Sequence, residues 1–218
     1  MVFMKKFNCL FIFLMMLSMT KTSFAQEGIK DVFNSSETSI LYLGVDFTQA
    51  RLIDESDVNL ADIRERFFAS INELIVNEPA RYELGKALRK KMVDHNLAIV
   101  SKRNKAANMD LFLSSNTKDY HRFSATDIDN FVKKYDFDGN KGIGLIFFVE
   151  GMSKSLKGES IWVTFVDMKS KKVLMTERVI GKTRGAFGFR NFWAAPIKDV
   201  IDLIESKLYK EWTLKYSR

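Results

Sequence analysis

The chain has 218 residues, with 34 Lys+Arg against 27 Asp+Glu, two His and one Cys. That length suits one domain, and 46% hydrophobic with 28% charged residues excludes a disordered, collagenous or repetitive chain. One Cys excludes an internal disulfide framework, and the net charge of +7 invites nucleic acid only until the N-terminus has been read.

Residues 1–25 carry the pattern of an export signal. Lys5 and Lys6 form a positive start, Phe7 to Met19 is apolar apart from Asn8 and Ser18, and Ser23-Phe24-Ala25 offers small residues for cleavage before Gln26. The apolar run falls short of the roughly 20 residues that span a bilayer. Cys9 stands near its beginning rather than its end, so there is no lipobox. Cleavage would remove Lys5, Lys6, Lys21, the Cys and half of the ten Met, leaving 193 residues with a charge of +4 and no thiol. The expectation is a periplasmic or secreted protein, not lipid-anchored, with no span after cleavage. Export then argues against nucleic acid as a partner.

Residues 26–37 are polar without a period and read as a flexible leader to a single domain over 38–218. Thr38 to Phe47 is rich in β-formers and predicts a strand; Thr48 to Val58 reads as a connection. Leu60, Ile63, Phe67, Ile71, Leu74 and Ile75 fall on one helix face, with Asn59 as N-cap and Pro79 marking the end. A weaker helical pattern covers Ala80 to Val93, and Leu97 to Ser101 reads as a short strand. Lys102 to Arg122 gives no clear period. Ser124 and Asp127 resemble a capping box before a helix through Ile128, Phe131, Val132 and Tyr135. Gly142–Glu150, Ser160–Met168 and Val173–Lys182 predict an antiparallel meander. Glu177 and Arg178 place its third strand near an edge. A long helix follows, from Trp193 or Pro196 to Trp212. The order predicts an α/β chain, a three-layer sandwich with one mixed sheet of about five strands and helices on both faces.

The meander GIGLIFFVEG and SIWVTFVDMKSKKVLMTERV, followed by GAFGFRNFWAAPIKDVIDLIE, resembles periplasmic α/β domains of bacterial envelope lipoproteins. These include activators of penicillin-binding proteins, the curli-secretion lipoprotein and the N-terminal domain of the Tol-system propeller protein. The likeness is best over 142–205, and the missing lipobox departs from it. It implies an accessory or assembly protein acting through an envelope protein partner.

Catalytic chemistry is thinly supported. His95 and His121 are the only histidines, and no nucleophile elbow, zinc-helix motif or C-x-x-C occurs. Asp119-Tyr120-His121 sets an acid near a base only along the chain. Asp136, Asp138 and Asn140 begin like a calcium loop, but Lys141 and Phe147 stand where Gly and Glu are needed, so a tight turn is the better reading. No cofactor is called for. Gly181, Gly185 and Gly188, with Lys182, Arg184 and Arg190, could cradle an anion at a helix start, although the spacing matches no phosphate-binding fingerprint. Phe187, Phe189, Phe192 and Trp193 either latch that loop to the sheet or, with Arg190, form a partner-binding patch. Basic clusters at Lys86-Arg89-Lys90-Lys91, Lys102-Arg103-Lys105 and Lys169-Lys171-Lys172 read as a solvated face. The alternative for them is contact with an anionic surface. Two functions stand against each other: an exported protein-binding accessory, and a small-ligand binder or hydrolase with a site within 102–122.

Overall fold

A computed structural model describes residues 28–217; the expected export signal, its expected cleavage site and the first two residues of the expected leader lie outside them. Seven strands form one sheet centred on β5 (Ile143–Ser153). One edge of β5 pairs antiparallel with β6 (Gly158–Asp167), and β6 with β7 (Lys172–Lys182), so the meander forms with β7 at the sheet edge. The other edge of β5 carries two parallel strands end to end, β1 (Ile40–Asp46) and then β2 (Arg51–Ile53). β3 (Val93–His95) flanks β1 and β4 (Leu113–Ser114) flanks β2, both parallel. Seven strands stand where about five were expected, because β2, β3 and β4 have two or three residues each, too few to show a period of two.

Every residue of β5 and β6 is buried, which requires cover on both faces. On one face, Ile143, Leu145, Phe147, Ile161, Val163 and Phe165 pack under two long helices. The first of these is α2, whose pieces Leu60–Asp62, Ile63–Phe67 (a π turn) and Phe68–Asn77 are continuous. Asn59 caps it, its Oδ1 accepting from the Asp62 N–H at 3.1 Å. The other is the C-terminal helix, Phe189–Leu203, Ile204–Leu208 and Tyr209–Tyr216. On the opposite face, Leu43, Ile146, Phe148, Trp162 and Val166 lie under the short helix Ala98–Lys105 and the helix Ala125–Lys133. The capping box of the latter forms as expected: Ser124 Oγ accepts from the Asp127 N–H, and Asp127 Oδ2 accepts from the Ser124 N–H at 2.8 Å.

Four expectations fail. The leader is not loose: Ile29–Asn34 is a helix, α1, whose buried Val32 and Phe33 pack on the C-terminal helix, Phe33 meeting Tyr209 edge-on at 5.4 Å. Lys90, from a cluster read as solvated, is buried and donates to the Val32 and Ser35 carbonyls at the end of α1. Residues 97–101 are not a strand but start the Ala98–Lys105 helix, with Asn96 Oδ1 accepting from the Ala98 N–H; a four-residue apolar run carries no period to separate the two. Only Leu84–Ala87 of the second helical pattern is helical.

Beyond Tyr42, β3 no longer covers β1, and side chains replace the missing strand. Asn72 Oδ1 accepts from the Val45 N–H at 2.7 Å, and Asn104 Oδ1 accepts from the Phe47 N–H at 2.8 Å. Both side-chain amides donate to the Val45 carbonyl, so the buried backbone groups of Val45 and the Phe47 N–H stay paired. Gly44 makes this possible, since a Cβ at its φ of +112° would stand 2.5 Å from Asn72 Oδ1.

Candidate functional site

The carboxyl ends of β2, β5 and β7 face one edge of the sheet, where ligands of parallel α/β sheets commonly sit. The loop after β2, the β5–β6 turn and the start of the C-terminal helix enclose a cleft of about 360 Å³ at this edge. Its walls include Asn59, Ile63 and Phe67 from α2, Lys154 from the turn, and Phe189 and Trp193. Phe189 lies against Phe67 with the rings tilted by 30° and centroids 4.8 Å apart, and Phe192 meets Trp193 edge-on at 4.9 Å. The sequence-predicted aromatic group therefore divides. Trp193 is fully buried, Phe189 and Phe192 are half-buried around the cleft, and Phe187 is 87% exposed beside it. The buried Trp193 acts as the expected latch, while the exposed Phe187 does not. Arg190 is exposed and donates to Asn191 at 3.2 Å. Ile63 and Phe67 are the two ends of the π turn, a distortion often found at functional sites.

Several contacts hold the cleft open in this shape. Pro196 lies inside the C-terminal helix and cannot donate to the Phe192 carbonyl. Thr183 Oγ1 donates to that carbonyl instead, at 3.0 Å. The Lys182 N–H donates to Asp199 Oδ2 at 2.9 Å, and Arg184 approaches Oδ1 of the same carboxylate. A carboxylate from the helix thus already occupies the anion role expected of the Gly181–Gly188 loop. Gly181 admits the helix itself, because a Cβ there would lie 2.1 Å from the Pro196 carbonyl oxygen. Lys154 is paired with Glu55 at 2.7 Å, and Asp62 with Arg66. Asp57 lines the cleft without an ion pair among the described residues.

The remaining candidates are dispersed. Asp136, Asp138 and Asn140 build a turn: the Asp138 N–H donates to Asp136 Oδ1, and Asn140 Nδ2 donates to the Phe137 carbonyl. Asp138 and Gly139 take left-handed φ values there. Among the described residues no three His, Cys, Asp or Glu side chains gather as for a metal. His95 is exposed on β3. His121 lies 3.3 Å from Ser160 Oγ, and burial followed by the Arg178 charge pushes its pKa down. Asp119 turns away from it toward Ser114 Oγ and Asn116 Nδ2.

Sequence reasoning missed a polar node at the end of β1. Asp46, almost wholly buried, accepts from the Thr48 N–H at 2.8 Å, from Arg103 Nε at 3.0 Å and from the Tyr135 hydroxyl. The Arg103 guanidinium lies 4.0 Å above the Tyr135 ring. Arg103 is thus no member of a solvated basic face. No helix among the described residues is long and apolar enough to cross a membrane. In comparisons with known proteins, no family model matches this chain and no curated protein matches it either.

Proposed function

We propose that this is an exported, non-enzymatic protein of the cell envelope or secreted fraction that binds a partner protein through the aromatic cleft. The occupant is a segment whose aromatic or aliphatic side chain packs against the Phe67–Phe189 pair and Phe192 while a neighbouring basic residue meets Asp57. The observation that carries this reading is the partial exposure of aromatic rings around an open cleft, two residues along the chain from the exposed Phe187. Aromatic anchors of this kind dominate interface energetics, and the unpaired Asp57 supplies the complementary charge. The export signal in residues 1–25 and the resemblance to envelope accessory domains support the same reading.

Selection of random peptides on the purified domain tests it. Enriched peptides should pair an apolar anchor with Lys or Arg, and Phe189→Ala or Phe192→Ala should weaken their binding at least tenfold. Enrichment of no common pattern, or equal binding by the folded variants, would reject the cleft as the docking site. Recovery of acidic peptides that ignore Asp57→Asn would reject the stated chemistry.

A further inference from the structure

A second pocket, of about 330 Å³, is bounded by β3, the C-terminal end of α2 and the turn that follows that helix. Two tyrosines stand in its wall. Tyr42 comes from β1, where its register partner on β3 is His95. Register partners on parallel strands share a face of the sheet, so the exposed imidazole leaves the sheet on the same side as the Tyr42 ring. Tyr82 comes from the turn after α2. Its N–H donates to the Glu78 carbonyl at 3.0 Å, and the Arg81 guanidinium lies 5.4 Å from its ring. Tyr42 is fully buried and Tyr82 is 2% exposed, yet neither hydroxyl has a hydrogen-bond partner. Burial, and after it the charge of the Tyr82 phenol, raises the Tyr42 pKa, and burial raises that of Tyr82. Both hydroxyls therefore keep their protons and are able to donate.

Buried polar atoms are nearly always partnered, and here two unpartnered donors belong to the wall of one cavity. The rest of the wall limits what can accept from them. Val76, Pro79 and Val93 are apolar. Lys86 is already held by Glu83 at 3.4 Å and by Glu205 at 3.0 Å. Asp94 alternates to the opposite face of β3 from Val93 and His95, the face of its register partner Leu41. An anion would thus find no free cation in this wall, and a cation would compete with Lys86 for Glu83. We propose that the pocket binds a small uncharged ligand carrying a carbonyl group, an amide or a ketone, whose oxygen accepts from the Tyr42 and Tyr82 hydroxyls. Its apolar body lies against Val76, Pro79 and Val93. A carbonyl oxygen has two acceptor lone pairs, one for each hydroxyl, and a cavity of this volume is of the size that small ligands occupy. The pocket shares no lining residue with the aromatic cleft, and neither proposal depends on the other.

The test is titration of the whole chain with benzamide, benzoate, benzylamine and toluene at pH 7, read by ligand-observed NMR and by melting temperature. A ligand that binds only the folded state must raise that temperature. The four probes share one ring and differ in carrying a neutral carbonyl, an anion, a cation or no polar group. Benzamide should bind saturably and at least tenfold more tightly than the other three. Its binding should weaken at least fivefold in Tyr42→Phe and in Tyr82→Phe. It should stay unchanged in Tyr120→Phe, a buried tyrosine elsewhere whose hydroxyl is also unpartnered. Without any probe, Tyr42→Phe should melt no lower than the wild type, because it removes a donor that the fold leaves unsatisfied. A lower melting temperature would mean that the hydroxyl is satisfied within the fold or by a fixed water, and would overturn the proposal. So would benzamide binding no better than toluene, or benzamide binding that survives in both phenylalanine variants.

Discussion

Two glutamates on the same hairpin, both fully buried, have opposite surroundings. Glu150, on the face under the Ala125–Lys133 helix, accepts from Ser160 Oγ, Trp162 Nε1, the Phe123 N–H and both Nε and Nη2 of Arg178. Glu159 falls on the other face by strand alternation, beside Gly181 and beneath the C-terminal helix. Neither of its oxygens has a hydrogen-bond partner, and burial raises its carboxyl well above the usual range. Identical side chains nine residues apart thus serve as an ion-paired anchor and as a proton-holding acid. What separates them is whether donors from distant segments converge; Phe123 and Arg178 reach Glu150 from 27 and 28 residues away.

The contrast breaks most visibly at Glu150. Glu150→Ala strands the Arg178 charge and should cost about 3–5 kcal/mol in denaturant unfolding; a loss under 1 kcal/mol would mean the network is decorative. Glu159→Met should act in the opposite direction, stabilising by about 1–3 kcal/mol at pH 8 by removing an unsatisfied polar group. The unfolded chain releases that proton near the ordinary value of about 4.3, while the folded chain retains it to higher pH. The folded state therefore binds more protons, and wild-type stability falls as pH rises above that value until the folded group ionises. The gain from Glu159→Met should accordingly shrink between pH 8 and pH 4, and a gain independent of pH would contradict the assignment. The smallest effect belongs to Ser160→Ala, which removes one of the donors to Glu150 and should cost about 0.5–1.5 kcal/mol.

The long periodic elements were legible in the sequence: β5 to β7, the helix after Asn59, and the Ser124 capping box. Each needs only neighbouring residues to declare itself. The aromatic group at 187–193 was legible as a group because it is contiguous, whereas the division of its rings between core and cleft depends on Phe67 of α2. The Asp46 node could not be read in advance. Asp46 meets Arg103 from 57 residues away and Tyr135 from 89, a convergence that no local pattern encodes. The helix at Ile29–Asn34 was hidden for the same reason, since Tyr209 and Lys90 hold it from far along the chain.

The π turn at Ile63–Phe67 has a consequence for how the cleft could change over time. One additional residue in a helical turn shifts the phase of everything before it by about 100° relative to everything after it. It sets Ile63 and the cleft side of the helix out of phase with the core face that follows, where Phe68 is fully buried and stacks on Phe47 at 4.5 Å. The cleft wall and the structural seam share one helix but are set out of step. Loss or gain of a single residue in that turn would re-aim the wall and leave the seam from Phe68 to Ile75 where it is. The lining of the cleft can thus drift by register, without the fold having to be solved again.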